Sequence, residues 1–218
     1  GLWKTKKETI TNISERILKL AMQRRFLFLG LITILAISAV IAVKLDQTIQ
    51  GGLAPPSDLV GGKFSLLDQK AQPVTEKIIL GHYTLIFFGY TYCPDFCPTV
   101  LQTISASLDL LDEVTTKIYP IFITIDPERD TPEVLKSYLE NFHPLITGLT
   151  GNLEQVKAVA KAYGVYYAKS KDNGESKKDY LMDHSSGIYL MGPDGMFITK
   201  LSHSRTPEEI VKIIKKYL

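Results

Sequence analysis

Tyr83-Thr84-Leu85-Ile86-Phe87-Phe88-Gly89-Tyr90 runs without a charge straight into Thr91-Tyr92-Cys93-Pro94-Asp95-Phe96-Cys97-Pro98, which holds both cysteines of the chain. A continuous apolar run rich in β-branched and aromatic residues is the pattern of a strand buried on both faces, and such a strand needs helices over it. Beyond the cysteines, Val100, Leu101, Ile104, Leu108 and Leu111 recur at helical spacing. Pro98 inside a helix would cost about 3 kcal/mol, so the helix is expected to start at Cys97 or Pro98, where a missing N–H loses nothing. Residues 93–97 then form a short loop above a helix N-terminus. The free N–H groups and the positive end of the dipole there favour thiolate over thiol, partly opposed by Asp95. Thiolates serve a metal clamp and a redox dithiol equally, so the spacing alone leaves both open.

The rest of the chain supplies the elements around that strand. Gly62–Asp68 and Gln72–Thr75 flank a polar turn and are expected to form a small hairpin, and Ile118–Ile125 is a second buried strand. It ends in Asp126-Pro127-Glu128-Arg129-Asp130-Thr131-Pro132, where Thr131 is placed to cap a helix with Pro132 first and Glu133 at its positive end. The plainer reading of this stretch is a strand-to-helix connection; the other is a docking or supporting role beside the cysteines. Asn152 and Gln155, and later Thr206 and Glu209, have capping-box spacing. Residues 165–168 could form a short strand, and 187–201 an antiparallel hairpin turning at Gly192-Pro193-Asp194-Gly195. The expected order is βαβα, then α, then ββα. This gives an α/β fold, a thioredoxin-like mixed sheet flanked by helices, with the dithiol outside the carboxyl end of the first core strand.

One further segment departs from a soluble average. Phe26–Val43 is uncharged over 18 residues and as a helix would span about 27 Å, enough for a bilayer core. It lacks an Ala-x-Ala ending, so an uncleaved N-terminal transmembrane helix is expected rather than a signal peptide. Residues 1–25 carry seven basic and two acidic side chains, against 18 and 21 in the remainder, which keeps the N-terminus inside and sends the large part across. The expected organisation is a basic cytoplasmic segment 1–25, an anchor 26–43, a linker 44–60 and a folded domain 61–218. The exported part has no basic patch with interleaved aromatics, and Lys169–Lys178 is taken as a solvated loop, so no nucleic-acid partner is expected.

Two cysteines in an exported domain would ordinarily imply a disulfide, yet a bridge closing so short a loop stabilises little, so chemistry explains the pair better. A third partner would separate metal binding from redox exchange, since a soft ion such as Cu(I) suits two thiolates and an imidazole. Of the four histidines, His82 precedes the strand at its far end, His143 follows a helix, and His203 lies in a polar loop; each is expected to be structural or solvated. His184, in Asp183-His184-Ser185-Ser186, leads into the hairpin strand and could hang over the cysteine end, although a capped loop histidine is the blander alternative.

Gly89-Tyr90-Thr91-Tyr92-Cys93-Pro94-Asp95-Phe96-Cys97-Pro98, Asp126–Pro132, Asp183-His184-Ser185 and Gly192-Pro193-Asp194-Gly195, in that order, resemble the Sco/SenC family over roughly residues 55–218, and the single anchor fits it too. The resemblance implies a membrane-tethered, thioredoxin-like, copper-binding cytochrome c oxidase assembly protein that serves the binuclear copper centre of subunit II. It implies Cys93, Cys97 and His184 as the ligands of Cu(I) or Cu(II), with another copper chaperone as a possible donor. It also implies a place in the bacterial inner membrane with the domain in the periplasm, or in the mitochondrial intermembrane space. The alternative is a thiol-disulfide oxidoreductase that keeps the client's copper-binding cysteines reduced; a thiol peroxidase is a weaker third reading.

Overall fold

The computed structural model describes residues 60–170 and 180–218, together with Ile37 and Ser38, which are helical and exposed. The chain separates into two compact units, Gly1–Leu53 and Ala54–Leu218, and the second holds both cysteines and, among the described residues, every strand. The expected basic segment, the anchor apart from Ile37 and Ser38, the linker up to residue 59 and the charged stretch 171–179 lie outside the described residues. Among the described residues no helix is long and apolar enough to cross a membrane.

The strands are β1 (Ser65–Asp68), β2 (Pro73–Thr75), β3 (Tyr83–Gly89), β4 (Ile118–Thr124), β5 (Thr147–Thr150), β6 (Tyr167–Lys169), β7 (Met182–His184), β8 (Ile188–Met191) and β9 (Phe197–Leu201). Beyond Ile37 and Ser38, the α-helices among the described residues are α1 (Phe96–Leu111), α2 (Pro132–Leu139), α3 (Leu153–Ala162) and α4 (Pro207–Ile214). Seven strands form a mixed sheet in the order β2-β1-β5-β4-β3-β8-β9, while β6 and β7 pair with each other in a separate two-stranded sheet. This is the helix-flanked mixed sheet expected of a thioredoxin-like domain.

The apolar run is central because it has a partner on each side: β4 in parallel, with Gly89 opposite Thr124, and β8 antiparallel, with Phe87 opposite Ile188. Leu85, Ile86, Phe87 and Phe88 are buried, as are Ile121, Phe122 and Ile123 of β4. Val100, Leu101, Ile104, Leu108 and Leu111 line the inner face of α1, which packs with α4. The predicted caps form. Thr131 Oγ accepts the Val134 N–H, and both capping boxes close in each direction.

Strand directions decide where the loops gather. Parallel β3 and β4 end at the same edge of the sheet, and antiparallel β8 begins there, as Ile188 stands opposite both Phe87 and Leu201. The cysteine loop, the Asp126–Thr131 loop, the approach to β8 and the exit from β9 therefore share one rim.

Three features differ from expectation. Strand β5 lies between α2 and α3, parallel to β4 and antiparallel to β1; its four residues, Thr147-Gly148-Leu149-Thr150, are too short to show a period. Helix α1 begins at Phe96, one residue early. His184 ends strand β7 rather than lying in a loop.

Candidate dithiol and histidine site

The turn into α1 is built around sulfur. Asp95 is the N-cap but its side chain makes no capping bond, and Pro98 falls at the third helical position, still among the N–H groups without an intrahelical acceptor. The Cys97 N–H donates to Cys93 Sγ at 3.2 Å. A hydrogen bond from the Cys97 thiol, joined by the backbone N–H groups of Cys97, Asp95 and Phe96, lowers the Cys93 thiol to about 6 against the opposing effect of burial. Cys97, with no exposed surface, is pushed the other way, first by its hydrogen bond to Cys93 and then by burial. Both are free thiols, and Cys93 keeps a sliver of surface at 9%. Iodoacetamide is accordingly expected to label Cys93 before Cys97, at a rate rising through about pH 6 as the thiolate forms. Mapping the alkylated residue across pH checks this; preferential labelling of Cys97 would contradict it.

Cys97 Sγ stands 4.0 Å from His184 Nε2. The other ring nitrogen, Nδ1, is 3.0 Å from the carbonyl oxygen of Ser185, which can only accept. Nδ1 is therefore the donor to that carbonyl, and in the neutral ring Nε2 is the nitrogen whose lone pair faces the sulfur. Two ligands on one ion with bonds of about 2.0–2.3 Å stand roughly 3.5–4 Å apart, so this spacing suits a shared ion. Among the described residues no set of three His, Cys, Asp or Glu side chains is already gathered at metal-binding distance. The imidazole is bounded edge-on by Phe96, with ring centroids 5.8 Å apart, and by Tyr90 at 6.1 Å.

The other three histidines have other neighbours. His82 is exposed beside Tyr119 at the far end of β3. His143 accepts the Leu145 N–H on Nδ1 and faces Asp109 at 3.7 Å. His203 is exposed, yet its ring meets Phe96 at 4.8 Å, because the exit from β9 shares the rim.

The Asp126–Thr131 stretch does more than connect. Asp130 is fully buried and binds both Thr91 and Thr124: Oδ1 accepts the Thr91 hydroxyl at 2.6 Å, and Oδ2 accepts the Thr91 N–H at 3.0 Å and the Thr124 hydroxyl at 2.6 Å. Burial raises its pKa in spite of these bonds. It thus rivets the start of the cysteine loop to the end of β4. Of the two readings the sequence left for this stretch, the supporting role beside the cysteines is the one Asp130 fills, while no sequence pattern assigned a role to Tyr90 or Phe96.

The same part of the chain is similar to known proteins. The family model described as SCO1/SenC matches residues 54–218. Protein sco1 of Schizosaccharomyces pombe is 43% identical over 159 residues, covering 72% of this chain and 60% of that protein. The human Protein SCO1 homolog, mitochondrial, is 41% identical over 180 residues, covering 81% and 58%. The chain thus spans about three-fifths of the length of these relatives. The structure of Bradyrhizobium japonicum ScoI with copper bound is 45% identical with a TM-score of 0.68, covering 73% of this chain and 99% of that one. By the extent of the match and the identity of its relatives, the chain belongs to the SCO1/SenC family.

Proposed function

We propose that this chain is a membrane-anchored copper carrier that holds one copper ion between Cys93, Cys97 and His184 and delivers it to the binuclear copper centre of cytochrome c oxidase subunit II. The observation that carries the reading is the Nε2 lone pair of His184 aimed at Cys97 Sγ from 4.0 Å, beside a Cys93 thiol already lowered towards thiolate. Two soft thiolates and a neutral imidazole suit Cu(I) and also accept Cu(II). The copper in the ScoI relative supports the choice of metal. Copper is the cargo here: another copper chaperone would load it by ligand exchange, and the client would withdraw it in the same way.

In this reading residues 1–25 stay inside, 26–43 anchor, 44–60 link, and 61–218 form the copper domain. That domain faces the periplasm or, as the mitochondrial relatives suggest, the intermembrane space. The test is stoichiometry. The full chain with reduced thiols is expected to bind one equivalent of copper and, once Cys93 and Cys97 are oxidised to a disulfide, none. Failure of the reduced chain to bind copper would end the carrier reading.

A second reading draws on the unequal thiols. Cys93 as thiolate would attack a client disulfide, forming a mixed disulfide and releasing one client thiolate. Cys97, after losing its proton, would then displace the second client sulfur, leaving a Cys93–Cys97 disulfide and a reduced client. The two electrons come from the dithiol pair, so each turnover needs re-reduction by an external thiol. Both functions use the same two thiols and exclude each other at any instant, because the disulfide has no thiolate to offer copper.

A further inference from the structure

The thiols and the imidazole belong to different hydrogen-bonded sheets. Cys93 and Cys97 follow β3 of the seven-stranded sheet, whereas His184 ends β7, which pairs with β6 apart from it. No strand ladder joins β7 to β3 directly; the chain's run into β8 four residues later brings His184 to the rim, and side-chain contacts are left to fix the distance between sulfur and Nε2. Tyr90, between β3 and the cysteines, is 2% exposed, and its hydroxyl oxygen accepts the Met182 N–H at 3.1 Å, two residues before His184. Successive strand side chains alternate in direction, so Met182 and His184 share a face. Met182 is buried and His184 partly buried, while Asp183 between them is exposed.

The other end of the short strand is held by the loop after β4. Tyr180, two residues before β7, donates its hydroxyl to Asp126 Oδ1 at 2.6 Å. Arg129 places its guanidinium over the Tyr180 ring, 3.6 Å from the centroid, and its Nε–H donates to the second oxygen of Asp126. The same guanidinium lies 4.5 Å from the Tyr92 ring and 5.8 Å from that of Tyr90, on the cysteine side. Asp126 is 2% exposed, so these bonds act away from solvent, where they are strong. The Lys169–Glu128 pair across the same junction is half exposed at both ends and adds little.

We infer that Tyr90, Asp126, Arg129 and Tyr180 form a clasp that docks the β6–β7 hairpin on the cysteine loop and so sets the position of His184. They are positioning residues: none of them binds the ion. This rests on the reading of His184 as a copper ligand, and the experiment separates the two. Tyr90→Phe and Tyr180→Phe each keep the ring and remove the hydroxyl, which in Tyr90 also hydrogen-bonds with Cys93 and in Tyr180 also with Glu128. In the metal-free chain, the Met182 amide of Tyr90→Phe is expected to exchange with solvent about tenfold faster, and the His184 ring resonances to move in both variants while those of Phe122 stay in place. Measured against a competing chelator, each variant is expected to bind Cu(I) about tenfold more weakly, and the double variant to fall to the affinity of His184→Ala. Wild-type copper affinity in the double variant, together with faster Met182 exchange, would overturn the clasp. Equal affinity in wild type and His184→Ala would instead overturn the ligand reading beneath it.

Discussion

Alanine in place of His184 is expected to cost the chain at least about a hundredfold in copper affinity while its thiols go on exchanging with disulfides at a near-unchanged rate. Removing groups that only orient a ligand already costs about 10–100-fold, so loss of the ligand itself should cost no less. Thiol exchange should survive because Cys93 is lowered by the Cys97 thiol and by backbone N–H groups of the α1 turn, all of which the substitution leaves in place. Cys97→Ala is expected to abolish both properties. Cys97 is the sulfur that faces Nε2 at 4.0 Å, and it is also the thiol that hydrogen-bonds to Cys93 and would resolve a mixed disulfide. Chelator competition and disulfide-exchange kinetics on the same three proteins give the comparison. If His184→Ala kept wild-type copper affinity, the two thiols would hold the ion without it and His184 would be no ligand.

The parts of the fold legible in the sequence were those with a long period or a named cap. Strands β3 and β4 showed as unbroken apolar runs, α1 as a stripe from Val100 to Leu111, and Thr131, Asn152 and Thr206 marked three helix starts with their own hydroxyls and amide. Strand β5 was invisible because Gly148 has no side chain to enter a pattern; a Cβ there would lie 2.6 Å from Leu139 Cδ1, so α2 lies too close for one. The thiols were legible as a spacing. His184 was set apart from the other three histidines by its place before the hairpin strand and by the family resemblance; the topology gives the physical reason, since β8 starts at the edge where β3 ends, which brings the preceding β7 over the cysteines. A supporting role for the stretch with Asp126, Arg129 and Asp130 was the second of two readings, but its partners, and any role for Tyr90 or Tyr180, were illegible, since contacts across 39 to 92 residues of chain leave no local pattern.

Gly89→Ala is expected to damage stability and site together. Gly89 is the last residue of β3 and pairs with Thr124, so its backbone is fixed on the β4 side. A Cβ built there would stand 2.8 Å from Phe122 Cε2, 2.9 Å from Cys97 Sγ and 3.2 Å from Phe87 Cε1. Two of these neighbours are ring edges in a fully buried cluster, where neither Phe87 nor Phe122 has exposed surface to move into. Such overpacking costs about 2–3 kcal/mol, or roughly 5–10 °C in melting temperature for a domain of this size. The third neighbour makes the effect more than structural. If the rings hold, the sulfur must yield, and Cys97 Sγ moves relative to Nε2 of His184, which is held separately by Ser185 and the β7 strand. Copper affinity should therefore fall further than in a variant of equal instability far from the rim. Gly148→Ala serves as that reference, because its Cβ would press on Leu139 and Leu135 and on neither cysteine. Equal copper affinity in the two glycine variants, at matched loss of melting temperature, would show that Gly89 serves packing alone. A selective loss in Gly89→Ala would place this glycine among the residues that set the sulfur's position.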